Sequence, residues 1–320
     1  MMKSNFLFFM MMIFSTSMTL SSENWLSMWV GMEMNMMSFI PLMNLTPTKK
    51  SSEASMIYFL TQSISSIIML SSIMMYSIQP VSLMNNILIM SIMIKLGSAP
   101  FHLWVPKIVA SMSWTSNMIM LTWQKIAPLY MMNMINYNIF IKMSIIMSVM
   151  IGSFSGLYQN SLRKMMAYSS LSHMGWIMSL NKNKDNWTIY LSIYSFMTLI
   201  LCQYLNKKKI LFISQLSNLS MNTNQKFDMI IFMMSFGGLP PMMGFLPKWM
   251  VIEELIYNKS IIMMVIMILT SMMTLFFYLR ITYKMIMIQS MNMKWSIYYQ
   301  KPSLMIIMMN FMLPMIILLQ

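Results

Sequence analysis

Runs of roughly twenty apolar residues recur along this chain with short polar breaks between them, and that pattern decides which solvent the chain folds in. A bilayer core of about 30 Å is crossed by about 20 helical residues. Eleven runs qualify, at about 4–21, 25–45, 54–78, 83–110, 114–133, 138–158, 165–180, 187–205, 227–256, 259–282 and 303–319. Only 9% of the residues are charged and 58% are hydrophobic, whereas soluble domains carry about a quarter charged. A soluble fold would have to hide more apolar side chain than its interior holds. The sequence therefore predicts an all-α, polytopic membrane protein of about eleven transmembrane helices, organised as one domain over residues 1–320. The first run, MMKSNFLFFMMMIF, has a lysine before its apolar stretch but no small-residue cleavage site, so it is read as the first helix and not as a signal peptide.

Composition narrows the setting. Methionine reaches 54 residues, arginine occurs only at Arg163 and Arg280, and alanine only five times. Residues with A/T-rich codons dominate, and the methionine excess matches a genetic code that reads an isoleucine codon as methionine, which points to synthesis inside a mitochondrion. Cys202 is the only cysteine and His102 and His173 the only histidines, so the ligands for a disulfide framework, a zinc site or an iron–sulfur cluster are missing. There is no G-x-G-x-x-G run and no P-loop lysine motif. No cofactor is expected in this chain.

The net charge of +14 is distributed in short loops and not as a continuous basic stripe, which argues for membrane topology and lipid partners and against nucleic acid. Fourteen basic residues fall on the side of the N-terminus and four on the other, with Lys95, Lys125 and Lys248 inside predicted spans. By the positive-inside rule, the N-terminus faces the matrix and the C-terminus the intermembrane space.

Two spans are interrupted. Helix four carries KLGSAPFHLWVPK and helix nine GGLPPMMGFLPKW, and Gly97, Pro100, Pro106 and Lys107 share their spacing with Gly238, Pro241, Pro247 and Lys248. Helices five apart cross the membrane in opposite directions. Paired breaks in such positions are the mark of an inverted-repeat transporter, with its ion site near the midplane. The repeats are expected at about 1–133 and 138–282, followed by the helix at 303–319. Proline removes an amide and frees carbonyls, and such backbone is tolerated at depth only when buried in protein or lining a wet cavity.

Ionisable residues inside spans are costly and are candidates for function. Glu33 lies about 12 Å from one end of its helix and about 18 Å from the other. A lone carboxylate there costs about 2.5–3.5 kcal/mol and should face the bundle, either protonated or paired; its bland alternative is a neutral, hydrogen-bonded structural group. Lys95 precedes the first break, where a movable pKa suits a group that alternates between charged and neutral; snorkelling is its alternative. Lys125 in TWQKIAPL lies near the end of its span, so snorkelling competes there as well. Lys248 follows the second break and competes with an interfacial anchor beside Trp249. His173 and, more weakly, His102 are either proton carriers or histidines that satisfy a hydrogen bond. Glu253 and Glu254 are expected to be solvated, with a proton exit as the alternative.

The ordered stretches SSENWLSMWVGMEMNMMSFIPLM, IKLGSAPFHLWVPKI, LTWQKIAPL, LRKMMAYSSLSHMGWIM and SFGGLPPMMGFLPKW resemble the subunit 2 family of mitochondrial NADH dehydrogenase (ubiquinone), antiporter-like membrane subunits of respiratory complex I. The resemblance spans residues 22 to about 250 and continues beyond only in hydropathy. It implies an antiporter-like fold of eleven helices and a proton path along the membrane midplane. On that path Glu33 pairs with Lys95 of the broken helix, Lys125 connects, Lys248 belongs to the second broken helix, and His173 of SHMGW bridges the halves. It also implies NADH, FMN, iron–sulfur clusters and ubiquinone in other subunits, neighbouring membrane-arm subunits (antiporter-like ones among them) as partners, and the mitochondrial inner membrane as location. Rival readings are a structural spacer of the same complex and a free-standing cation/proton antiporter.

Overall fold

The computed structural model describes residues 2–287 apart from 46, 79–81, 136, 181–185, 219–222 and 241. The expected helix at 303–319, Pro241, Lys182, Lys184, Lys294 and Lys301 lie outside the described residues. The described helices are α1 Met2–Ser21, α2 Trp25–Met43, α3 Lys49–Ile78, α4 Ser82–Leu96, α5 Trp104–Ser111, α6 Trp114–Leu121, α7 Ile126–Met134, α8 Ile139–Leu157, α9 Leu162–Ser179, α10 Asn186–Lys208, α11 Ile213–Asn218, α12 Thr223–Gly237, α13 Phe245–Tyr257 and α14 Ile261–Met287. A 3₁₀ turn, Trp123–Lys125, joins α6 to α7. Among the described residues no strand forms; the one β-type contact is an isolated bridge between Ser161 and Phe212.

Among the described residues four helices are long and apolar enough to cross a membrane, at Lys49–Tyr76, Ile139–Leu157, Asn186–Lys208 and Ile261–Met287, with shorter apolar helices at Asn5–Ser21 and Leu83–Leu96. Helix α9 falls outside that set because it is rich in serine, yet it is the most enclosed helix of the bundle, buried almost from end to end. Its hydroxyls explain how: Ser169, Ser170, Ser172 and Ser179 each donate to the carbonyl three residues back. With each serine hydroxyl satisfied inside its own helix, a polar sequence can sit in a dry interior. Small residues then allow close backbone approach, the usual basis of helix packing in lipid. A Cβ at Gly175 would come within 2.3 Å of Val149 Cγ2 on α8.

The bundle is built from two sets of neighbours. Helix α1 packs along α2, α2 along α3, and α3 along α4 and α5, with α7 against α1 and α4. In the second set α8 packs along α9, α10 touches α12 and α13, and α14 lies against α8 and α12. Helices α10 and α9 join the sets through α6 and α5 respectively.

Both breaks anticipated in the sequence are present, and they begin in the same way. After α4 the chain turns at Gly97 (φ 65°), with Ser98 N–H donating to Met93 O and Gly97 N–H to Ile94 O. After α12 it turns at Gly238 (φ 77°), with Leu239 N–H donating to Met234 O and Gly238 N–H to Ser235 O. Each is a Schellman cap, whose left-handed residue is glycine because a Cβ is disfavoured there. The following half-helices, α5 and α13, start seven residues after each glycine. The second interruption of the first half, at Trp123–Lys125, was not legible beforehand. Pro128 carries no N–H to donate to the Gln124 carbonyl, so the α-helical ladder cannot run unbroken through this turn.

Candidate functional site

The sequence-predicted charges lie inside the bundle. Lys95, Lys125 and Lys248 are each only 7% exposed. Lys125, whose position near the end of a span left snorkelling open, is enclosed by protein. Lys95 is in the last turn of α4, and its Nζ lies 3.9 Å from Glu33 Oε1 on α2. That separation is an ion pair without a direct hydrogen bond.

The carbonyls freed at the end of α4 are taken up by side chains. Trp104 Nε1–H donates to Ile94 O at 3.1 Å, and Gln62 Nε2–H to Lys95 O at 3.4 Å. At the second break the same task falls to a lysine, since Lys248 Nζ reaches back to Gly237 O at 2.8 Å. The Lys248 ammonium thus sits at the negative end of a half-helix, where a cation is favoured, while Lys95 belongs to the last turn of the other. One lysine comes from within the helix that ends and the other from the helix that follows. Lys107, which occupies the sequence position equivalent to Lys248, is exposed.

Between these ends the polar groups form a row. Lys95 and Lys125 line one cavity of about 30 Å³ together with Asn35, Tyr58, Gln62 and Gln124. Tyr58 O–H donates to Gln124 Oε1 at 3.2 Å, and Gln124 Nε2–H donates to Asn35 Oδ1 at 3.1 Å. Lys125 Nζ stands 4.9 Å from the centre of the Tyr194 ring, a cation–π contact. The Tyr194 ring also meets His173, with ring centroids 5.0 Å apart. The His173 Nδ1 is hydrogen-bonded to the Tyr190 hydroxyl at 2.8 Å, and its ring also meets Phe236 of α12. Glu33 thus neighbours Lys95, Lys95 shares a cavity with Lys125, Tyr194 lies between the contacts of Lys125 and His173, and Lys248 is bonded to Gly237, next in the chain to the Phe236 that meets His173. His102 does not join them: it lies in the first break, its Nδ1 3.2 Å from Pro100 O.

A family model described as NADH:quinone oxidoreductase/Mrp antiporter, transmembrane, matches residues 22–274. The chain belongs to that family. NADH-ubiquinone oxidoreductase chain 2 of Anopheles gambiae is 41% identical over 310 residues, covering 92% of this chain and 89% of the relative. Among solved structures, a chain of respiratory complex I from Thermus thermophilus superposes with a TM-score of 0.81 at 20% identity, covering 88% of this chain and 70% of that one. A chain of the Mrp complex from a Dietzia species superposes with a TM-score of 0.76 at 16% identity, covering 85% and 58%. The fold is thus the antiporter-like membrane fold of the NADH:quinone oxidoreductase/Mrp antiporter family.

Within this family fold, several site residues carried no signal in the sequence. Asn35, Tyr58, Gln62 and Gln124 are neutral, and in a serine- and asparagine-rich chain their polarity does not stand out; only the cavity reveals them. Glu254 was expected to be solvated with Glu253. Successive helical residues point about 100° apart, and only Glu253 is exposed; Glu254 is buried at 5% on the inner face of α13. Among the described residues no group of three or more His, Cys, Asp or Glu side chains converges as a metal site would require.

Proposed function

We propose that this chain is a proton-translocating membrane-arm subunit of NADH:ubiquinone oxidoreductase in the mitochondrial inner membrane, with the N-terminus in the matrix and the C-terminus in the intermembrane space. The observation that carries this reading is the continuous row from the Glu33–Lys95 pair, past a shared cavity, to Lys125, Tyr194 and His173. Ionisable side chains inside a membrane-spanning bundle mark ion pathways by default. Membership of the antiporter family and the chain 2 relatives supply the complex in which the path works. Redox chemistry, with its NADH, FMN, iron–sulfur clusters and ubiquinone, belongs to other subunits, and neighbouring antiporter-like subunits and lipids flank this one.

The architecture that fits is two five-helix repeats of opposite direction, about 1–133 and 138–282, within an eleven-helix domain. Its support is the pair of Schellman-capped breaks at Gly97 and Gly238, and the recurrence of helix partners five spans apart: α1 with α2 as α8 with α9, α4 with α7 as α12 with α14.

In operation, a conformational change arriving from the redox part alters the Glu33–Lys95 separation. That shifts the proton affinity of Lys95 and sends a proton toward Lys125, and onward by way of His173 to Lys248. Glu254, buried where Glu253 is not, is the carboxylate suited to release on the far side. The test is proton pumping by reconstituted complex carrying Lys95→Ala or Glu33→Gln. The reading expects fewer protons per electron in fully assembled complex. An unchanged ratio removes these residues from the path and leaves the chain a spacer.

A further inference from the structure

Lys95 and Lys125 line the same cavity; of the polar groups that line it with them, Asn35, Gln62 and Gln124 are amides, and the proton of the Tyr58 phenol is engaged with Gln124 Oε1. An amide conducts protons poorly, so the transfer from Lys95 to Lys125 needs another carrier. The geometry supplies both a place for it and a means of orienting it. An ammonium group has three N–H donors. Lys125 Nζ is buried and, among the described residues, none of its donors meets a hydrogen-bond acceptor; its contact is with the face of the Tyr194 ring. Lys95 Nζ is 3.9 Å from Glu33, beyond direct hydrogen bonding. A cavity of about 30 Å³ with several polar walls is large enough for one or two water molecules, which need two to four polar partners.

Gln124 is fixed from three directions. Its amide nitrogen donates to Asn35 Oδ1 at 3.1 Å and to Met12 Sδ at 3.4 Å, which uses both of its protons. Its oxygen accepts from Tyr58 O–H at 3.2 Å, which uses one of two lone pairs. The remaining lone pair is the acceptor left for the cavity. The same residue lies in the 3₁₀ turn immediately before Lys125, so backbone and side chain are both held where helix six gives way to helix seven.

We infer that Gln124 is a positioning residue for proton transfer: clamped by Asn35, Tyr58 and Met12, it orients water in the cavity between Lys95 and Lys125 so that a chain of hydrogen bonds joins the two amines. The proton leaves one ammonium for the adjacent water as the water on the other side gives its proton to the receiving amine, so charge moves with no bond made to Gln124. This inference rests on the proton-path reading above.

The experiment compares Lys125→Ala, Gln124→Leu and Gln124→Asn in intact complex reconstituted in liposomes, with the ratio of protons pumped to electrons passed as the readout. A purely structural side chain changes how much complex assembles and leaves that ratio alone. Lys125→Ala is expected to lose this subunit's whole share of the protons, Gln124→Leu to lose the same share, and Gln124→Asn to recover part of it because the amide is kept. A normal ratio in Gln124→Leu beside a lowered one in Lys125→Ala overturns the inference and leaves the path standing; a normal ratio in Lys125→Ala removes both. A high-resolution map of the unaltered complex is independent of whether any variant assembles. Water density within hydrogen-bond distance of Gln124 Oε1 and Lys125 Nζ is expected, and a dry cavity overturns the proposal.

Discussion

Replacing Glu33 with glutamine keeps the shape of the side chain and removes its charge, which isolates the partner charge at Lys95. At 3.9 Å and an effective dielectric of about 20, the attraction between the two is about 4 kcal/mol. Removing one member of a buried pair costs about 3–5 kcal/mol in stability, because the other charge is left without compensation. Exchanging both members for apolar groups of similar volume is often close to neutral. Lys95 is enclosed but the Glu33 side chain is 22% exposed, so Glu33→Gln should destabilise the assembled subunit by about 3 kcal/mol, the lower end of that range, and adding Lys95→Met should recover most of that loss. Pumping should not recover, since the double variant has neither the donor nor the control on it. The assay is thermal dissociation of the complex alongside proton-to-electron ratios in liposomes. A double variant that is stable and pumps normally would refute the view that this pair drives transfer. A single variant as stable as the unaltered chain would refute the view that the pair is held charged.

Other outcomes follow from individual contacts. Gly238→Ala should destabilise by about 1–2 kcal/mol for a left-handed residue and also displace Lys248, because a Cβ there would meet Lys248 Nζ at 2.7 Å; thermal melting and pumping are both expected to fall. Tyr194→Phe should leave pumping near normal because the ring under Lys125 is kept, whereas Tyr194→Leu should weaken the site by about 0.5–2 kcal/mol and slow transfer, which proton flux at fixed NADH oxidation would register. Arg280 donates to Leu157 O at 2.6 Å and to Gln159 O at 2.9 Å, tying α14 to the end of α8, so Arg280→Met should cost about 1.5–3 kcal/mol in thermal stability without changing protons per electron.

Much of this arrangement was written in residue type. Gly97 and Gly238 announced the breaks because no other residue ends a helix so readily in a left-handed turn, and Glu33, Lys95 and Lys248 stood out because charge in an apolar run has to be explained. The unread parts have physical reasons too. The 3₁₀ turn at Trp123–Lys125 has no glycine to mark it, and a single proline three residues on is compatible with an ordinary helix start. Helix α9 reads as weakly hydrophobic, although its serines are satisfied within the helix and it occupies the centre. Lys125 was ambiguous because the length of a side chain does not reveal which way it points. Asn35, Tyr58, Gln62 and Gln124 matter through their common cavity, a tertiary fact that joins positions from 35 to 124 and leaves no local pattern.

The claim at the centre is that buried amines hand protons along the bundle. The most direct measurement is the number of protons moved per NADH oxidised by fully assembled complex in sealed liposomes, with Lys125 changed to methionine. The ratio should fall while NADH oxidation continues; an unchanged ratio in assembled complex would mean that protons do not pass through this chain.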